Sequence, residues 1–440
     1  MDFGTETLDS SSTDLQSDQA NKRKAFSSKE GEQTIHTYVF GVFGFILQIF
    51  FSIGISASQD ILEETLVPTP VVLISASLPF SFITSILPYF VLKLAQEVLL
   101  VPIVFLSITG VLLYALVEHV VLRVTGVIVV STGIAIGEVT FVAMTALYSD
   151  AAMSSYATGT GIGFVIGPLY YAAMTTIICV PPETTLLIIS WVPVVIFPFY
   201  AVLEKRQFKP AQDATTHKDV AYTSLNLKTE QEEGKSMWSE KRTLIWRNLP
   251  LMIACFFGYF AEFLTLNGVV TSLAFPNSPF DPRNHFVYYA CAFMIGEFIG
   301  RSYITLLLLL NSKCTPVITK TWTLSTVLLS LFIFLTFASW YRFLHSVWVV
   351  LLLIFIVGLL AGSLYLNTFL MAVGSEDVKG KAFSRAFLSV GPSTGVLVAG
   401  LVGLVLEPTL REHCLQSAEF SDFCFTRAIG GWNRTTSCLR

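Results

Sequence analysis

An all-helical protein that crosses a membrane many times is the fold class this sequence predicts, and three observations predict it. The chain of 440 residues is 53% hydrophobic and only 13% charged, about half the charge of an ordinary soluble domain. Its charges gather at the N-terminus, in one central stretch and in the tail. The remainder falls into apolar runs of about 20 residues, the length that spans a bilayer. These runs divide into six and five around the central stretch, and polar residues recur at related places in the two groups.

Residues 1–36 carry Asp2, Glu6, Asp9, Asp14 and Asp18 among serines and threonines, with no basic residue in the first 20. A secretory signal needs a basic start followed by an apolar run, so this segment reads as a disordered tail. Spans are expected at roughly 37–57, 72–92, 98–117, 124–147, 158–178, 184–203, 249–273, 286–310, 317–338, 346–371 and 382–406. Prolines inside them, such as Pro79 and Pro88, are tolerated where helices pack on neighbours. The organisation is a six-helix group at 37–203, a polar loop at 204–248, a five-helix group at 249–406 and a tail at 407–440.

Basic residues set the orientation. Lys22, Arg23, Lys24 and Lys29 in the first tail join Lys93, nine Lys and Arg residues of the central loop, Lys313, Lys379 and Lys381, seventeen on one side. The odd-numbered loops hold Arg123, Arg283 and Arg342. By the positive-inside rule the N-terminus and central loop are cytosolic, and the C-terminal tail lies across the membrane. The sequon Asn433-Arg434-Thr435 falls in that tail and agrees with this topology, which makes Asn433 a glycosylation candidate. Cys179, Cys255, Cys291 and Cys314 lie in or at the ends of apolar runs and read as buried thiols; two of Cys414, Cys424 and Cys438 can pair if the tail is outside the cytosol. No cysteine pair has metal-ligand spacing, so no metal is expected. There is no nucleophile–base set, and TGTGIG (Thr158 to Gly163) follows no strand, so it is not a phosphate loop. No enzyme activity, cofactor or nucleic-acid partner is expected.

Two comparisons suggest a degenerate parallel repeat with the twelfth span lost. GFILQIFFSIG (Gly44 to Gly54) lies beside GYFAEFLTLNG (Gly258 to Gly268), which sets Gln48 opposite Glu262. GIAIGEVTF (Gly133 to Phe141) lies beside GLLAGSLYLNTF (Gly358 to Phe369), which sets Glu138 opposite Ser363; Gly167-Pro168 then matches Gly391-Pro392 within one residue. Small residues four apart recur as packing contacts in any helical membrane protein, but packing does not require a polar residue in the same frame. In a two-bundle carrier, spans one, four, seven and ten line a central cavity. Gln48, Glu138, Glu262, Ser363, Asn367 and Thr368 would then form a polar ring at mid-membrane depth, facing water. Ionisable residues inside a membrane point to function. The competing reading makes Glu138 an acceptor for a neighbouring hydroxyl such as Ser131 or Thr160. Glu297 and Arg301 stand four apart on one helix face and suit a neutralising pair, although a guanidinium also suits an anionic substrate.

These blocks carry a resemblance. GEVTF with TALY and SSYATGTGIG, YFAEF with Asn267-Gly268, and GLLAGSLYLNTF with SEDVKGKAF, in that order, resemble the battenin family of lysosomal and vacuolar membrane proteins over about residues 37–415. The resemblance implies a major-facilitator-like fold of eleven spans in the late endosomal or lysosomal membrane. It implies a link to lysosomal pH, to basic amino acids and to clearance of glycerophosphodiesters. It also marks Glu138, Glu262, Arg301 and Asn367 as family positions of interest. Some members end in a prenylation box; here Ser437 holds the required position, so there is none. Two sorting-like motifs fall in the central loop, Tyr222-Thr223-Ser224-Leu225 and Glu240-Lys241-Arg242-Thr243-Leu244-Ile245, and adaptors are the partners they imply. The leading expectation is a secondary transporter of a small polar solute, with Glu138 or Glu262 taking a proton or the solute's cationic part. The alternative is a non-transporting regulator or scaffold of endolysosomal trafficking and acidification, acting through its cytosolic segments.

Overall fold

Apolar runs this long can meet their backbone hydrogen bonds inside a bilayer only as helices, and that is how they fold. The computed structural model describes residues 35–57, 70–117, 119–203, 226–276, 278–279, 282–310, 316–373 and 378–417, together with 424 and 426. The helices are α1 (Ile35–Ser56), α2 (Pro70–Ile86), α3 (Gln96–Leu116), α4 (Val120–Tyr148), α5 (Asp150–Ala172), α6 (Pro182–Ile189) and α7 (Ile196–Val202). After the central stretch come α8 (Asn226–Leu264), α9 (Pro282–Leu309), α10 (Thr321–Tyr341), α11 (Val347–Leu370), α12 (Val378–Leu388) and α13 (Val390–Ser417).

Ten helical runs among the described residues are long and apolar enough to cross a membrane. The fifth expected span coincides with α5, a helix of 23 residues that is not among those ten. Its composition has a packing reason. A Cβ on Gly159 would run into the backbone of Gly41, one on Gly163 into Gln48 and Ile49, and one on Gly161 into Phe298 of α9. A helix packed this closely on two neighbours needs small residues that let backbones approach, and its large exposed apolar side chains are Ile162, Ile166 and Leu169.

Helix pairing repeats between the two halves. Helix α5 packs on α1 through Gly163 and Gly167, and α13 packs on α8 through Gly391 and Gly395. Likewise α2 meets α4, and α9 meets α11. The halves join through α5 with α9 and through α13 with α2. Exchanging first half for second turns each of these contacts into the other, as a parallel pseudo-repeat requires. The glycine frames read from sequence do not survive in detail. Gly133 meets Ser107 of α3 and Gly137 meets Leu47 of α1, whereas Gly358 and Gly362 both meet α9. Gly44 faces α5, but Gly258 faces Leu364 and Leu328. Only Gly167 and Gly391 have equivalent neighbours. The repeat therefore lives in helix pairing, and the matching glycines of the other two frames are packing contacts of different helices.

Other segments also differ from expectation. The central loop is helical from Asn226, continuous with the seventh span. The sixth span is broken into α6, a 3-10 turn at Val192–Val195 and α7, where Pro193 cannot donate to a helical ladder. The eleventh is split at Ser389 into α12 and α13, and α13 runs on to Ser417 beyond the expected boundary of the tail. Cys414 and Cys424 form a disulfide, and Thr426 donates to the carbonyl of Thr271 (2.8 Å from its N–H), which ties the start of the tail to the end of the seventh span. Cys179 is disulfide-bonded and exposed, not the buried thiol expected.

Where α4 passes into α5, Ser149 caps α5 by accepting from the N–H of Ala152 at 3.1 Å, and Asp150 follows in the first helical turn, where negative charge is favoured. Asp150 pairs across the halves with Arg385 and, at 2.8 Å, with Lys381 of α12. The Arg385 side chain is 0% exposed and Asp150 is 62% exposed. Burial pushes the Asp150 carboxyl up, but the Lys381 hydrogen bond and the Arg385 and Lys381 charges outweigh it and hold it below the usual carboxylate range. A lowered carboxyl adds stability above its ordinary value and loses it as pH falls through the lowered one. Thermal melts in detergent should accordingly show the wild type losing an increment below about pH 4 that Asp150→Asn has already lost. With the carboxylate largely in solvent, the increment is about 1 kcal/mol or less. A variant melting in parallel with wild type across that range would refute the link.

Candidate functional site

The polar side chains in the spans converge where α4, α5, α8, α9 and α11 meet. Glu138 sits in the middle of α4, only 7% exposed. Its carboxylate accepts two hydroxyls, Tyr156 of α5 at 2.5 Å and Tyr365 of α11 at 2.6 Å. Glu138 therefore joins the two halves, through tyrosines rather than through Ser131 or Thr160.

Arg301 of α9 lies one layer away and is buried. It pairs with Glu297 one turn earlier on the same helix and donates to Thr160 at 2.8 Å and to the Tyr259 hydroxyl at 3.1 Å. Its guanidinium lies over two rings, 4.2 Å from the centre of Tyr365 and 5.0 Å from that of Phe164. Cation–π contact of this kind is strongest where water is excluded. Glu262 and Glu297 are each 0% exposed. Both Glu262 oxygens, one Glu297 oxygen and the Nε of Arg301 find no hydrogen-bond partner among the described residues. Glu262 lies within charge range of Glu297 and Arg301. A buried carboxylate left unpaired is costly, and Glu262 is the carboxyl of the cluster whose two oxygens both stand without a hydrogen-bond partner among the described residues. Just beyond it, α8 turns into a π-helix over Thr265–Val269, which holds Asn267 and Gly268; such irregular turns are frequent at functional sites.

The other expected positions have separate tasks. Gln48 lies on α1 against Gly163. Ser363 donates to Leu359 of its own helix at 2.8 Å. The Asn367 carbonyl oxygen accepts from Tyr303 at 2.9 Å and from the N–H of Ile318 at 2.6 Å, which clamps the connection between α9 and α10. Thr368 accepts from Cys255 at 3.3 Å. The expected ring is thus drawn in toward Glu138, Glu262, Glu297 and Arg301, and in this conformation it is shielded from water. Tyr156, Tyr259 and Tyr365 stand in the blocks SSYATGTGIG, YFAEF and GLLAGSLYLNTF, but the sequence alone does not single them out as site residues. Tyr259 and Tyr365 did carry a signal, since they lie inside spans and not at the interfaces where tyrosine concentrates. Of the sorting motifs, Tyr222 and Leu225 lie outside the described residues, as does Asn433. Glu240, Leu244 and Ile245 lie in α8, with Leu244 buried, so this segment is not an extended peptide on offer to an adaptor. Among the described residues no group of acids, histidines and cysteines is placed to hold a metal.

Two solved structures share this architecture. A Major Facilitator Superfamily transporter, FucP, in the outward conformation matches with TM-score 0.51 at 15% identity, covering 87% of this chain and 98% of FucP. A variant of the E. coli Fucose:proton symporter FucP gives 0.52 at 15% identity, with the same coverage. At that identity the likeness fixes the fold, which is major-facilitator-like. Protein BTN1 of Yarrowia lipolytica is 28% identical over 381 residues, 85% of this chain and 94% of its own length. Protein BTN1 of Saccharomyces cerevisiae is 28% identical over 414 residues, 88% and 97% respectively. The model of the CLN3 protein family matches residues 38–413. The chain is a multi-pass membrane protein of the CLN3 (battenin) family.

Proposed function

We propose that this protein is a secondary transporter of the lysosomal or late endosomal membrane, carrying a small polar solute with proton coupling. The solute classes under test are glycerophosphodiesters and basic amino acids. The observation that carries the proposal is the buried charge cluster at the meeting of the halves. Four ionisable residues, Glu138, Glu262, Glu297 and Arg301, are buried, with bonds crossing between the halves at Tyr365–Glu138 and Arg301–Thr160; in this reading a rocking motion of residues 37–203 against 249–406 exposes them alternately to each side. Burying charge at such a place costs stability, and a purely structural junction between two apolar bundles has no need of it. In this reading Glu138 or Glu262 binds the proton or the cationic part of the solute, and Arg301 steers an anionic part. The N-terminus faces the cytosol. The disulfides at Cys179 and at Cys414–Cys424 support that orientation, since both lie on the side assigned to the oxidising lumen.

Purified protein in proteoliposomes tests this with labelled glycerophosphodiesters, lysine and arginine, with and without a pH gradient. Flux should need the gradient and should vanish in Glu138→Gln while the variant remains folded. Absence of flux for every candidate by folded, correctly oriented protein would sink the proposal and turn attention to a regulatory role of the cytosolic segments.

A further inference from the structure

Tyr365 occupies a place that no other residue of the cluster shares. Its hydroxyl is spent on Glu138 of the first half, at 2.6 Å. Its ring carries the guanidinium of Arg301 from the second half, 4.2 Å from the ring centre. Tyr156, the other donor to Glu138, stands one turn from Thr160, which holds the far side of Arg301 at 2.8 Å. Glu138, Tyr365, Arg301, Thr160 and Tyr156 thus close a loop through α4, α11, α9 and α5.

We infer that Tyr365 is a positioning residue that couples the charge of Glu138 to the exposure of Arg301. The inference rests on the transporter reading of this site and deepens it. While Glu138 is charged, its bond fixes the Tyr365 ring as a cover over Arg301. When Glu138 gains a proton, the acceptor weakens, the ring is released, and Arg301 becomes open to an anionic group. Reciprocity follows: an anion that draws on Arg301 must favour the protonated Glu138 by the same factor. The remaining titratable groups facing this pair are Tyr156 on Glu138, and Glu297, Glu262 and Tyr259 on Arg301; the neutral Thr160 hydroxyl and the Phe164 ring also lie on Arg301. Glu297 and Tyr259 stay in contact with the guanidinium when the ring moves, so Arg301 is uncovered rather than set free. The solute class this implies carries an anionic group that enters together with a proton.

The test needs no known solute. Full-length protein in lipid nanodiscs is treated with phenylglyoxal at one fixed pH, and the adduct on Arg301 is followed by peptide mass spectrometry. Glu138→Gln removes the charge and keeps the shape. Tyr365→Phe keeps the ring and removes the bond. Each should speed Arg301 modification roughly tenfold, the scale of one charge-assisted hydrogen bond. The double variant should be no faster than either single one. Tyr156→Phe, which does not free the cover, should stay within about twofold of wild type. Unchanged labelling in Glu138→Gln overturns the inference, and so do independent, multiplying effects in the double variant. Equal acceleration by Tyr156→Phe also overturns it, because that marks general loosening. If Tyr365→Phe does not fold, Glu138→Gln against Tyr156→Phe still decides. Labelling is read without flux, so a protein that couples the two residues and carries nothing would condemn the transporter reading alone.

Discussion

Glu297→Leu is expected to lower stability by about 3–5 kcal/mol, the loss seen when one partner of a buried ion pair is removed. The reason is what is left behind. Arg301 is buried with Glu297 as its paired carboxylate, and its other partners are two neutral hydroxyls and two rings. Glu262 lies within charge range but makes no bond to it, so it offsets only part of the loss. Arg301→Met alone should be similarly damaging, since it strands Glu297. Combining the two removes both charges at once, and an apolar pair of like volume is often as stable as the ion pair it replaces. The double variant should therefore melt closer to wild type than either single one in the same detergent. A double variant as unstable as the sum of the singles would show that the pair is not the unit being lost.

The same measurement separates structure from function inside the cluster. Glu262 is fully buried, yet it has no bond to lose, so a neutral isostere there removes a desolvated acid and little else. In stability, Glu297 outranks Glu262. In flux, the order should reverse if Glu262 carries the proton.

Much of this was legible along the chain, and what was not has a common cause. Hydropathy marks a helix that faces lipid, so α3 and α11 are plain in the sequence. Helix α5 packs closely on α1 and α9, and its glycines and hydroxyls report that packing instead. Glu138 and Glu262 stand out because charge inside a span is rare. Their surroundings do not stand out, because the Tyr365–Glu138 bond joins residues 227 apart, and a tyrosine in an apolar run reads as core. The Glu297–Arg301 pair was visible because its spacing is local to one helix. The glycine frames misled because a pair of small residues four apart announces only that some helix comes close. It does not say which one: α3 and α1 for Gly133 and Gly137, α9 for Gly358 and Gly362. Local chemistry was readable, and long-range partners were readable only where the halves repeat their helix pairing.

Gly362→Val is expected to yield no monodisperse folded protein, a loss of more than about 4 kcal/mol. Helices α9 and α11 are interlocked by two glycines on each, Gly296 and Gly300 against Gly358 and Gly362. At Gly362 a Cβ would meet the backbone carbonyl of Glu297 and the backbone nitrogen of Arg301 at 2.9 Å. Backbone inside a helix cannot step aside as a side-chain tip can, so the helices must separate, and the close packing that holds membrane helices together is lost along the whole contact. The atoms struck belong to the two residues that form the buried ion pair, so even a partly folded variant would have its charge cluster displaced. Gly54 of α1 supplies the internal control, because a Cβ there meets nothing within 4 Å. Gly54→Ala should fold normally and gain up to about 1 kcal/mol from the stiffer backbone. Size-exclusion profiles and thermal melts of the two variants beside wild type decide the matter. A well-folded Gly362→Val would mean that α9 and α11 can part without loss, and the two helices would then not be the rigid frame on which Arg301 and Tyr365 are set.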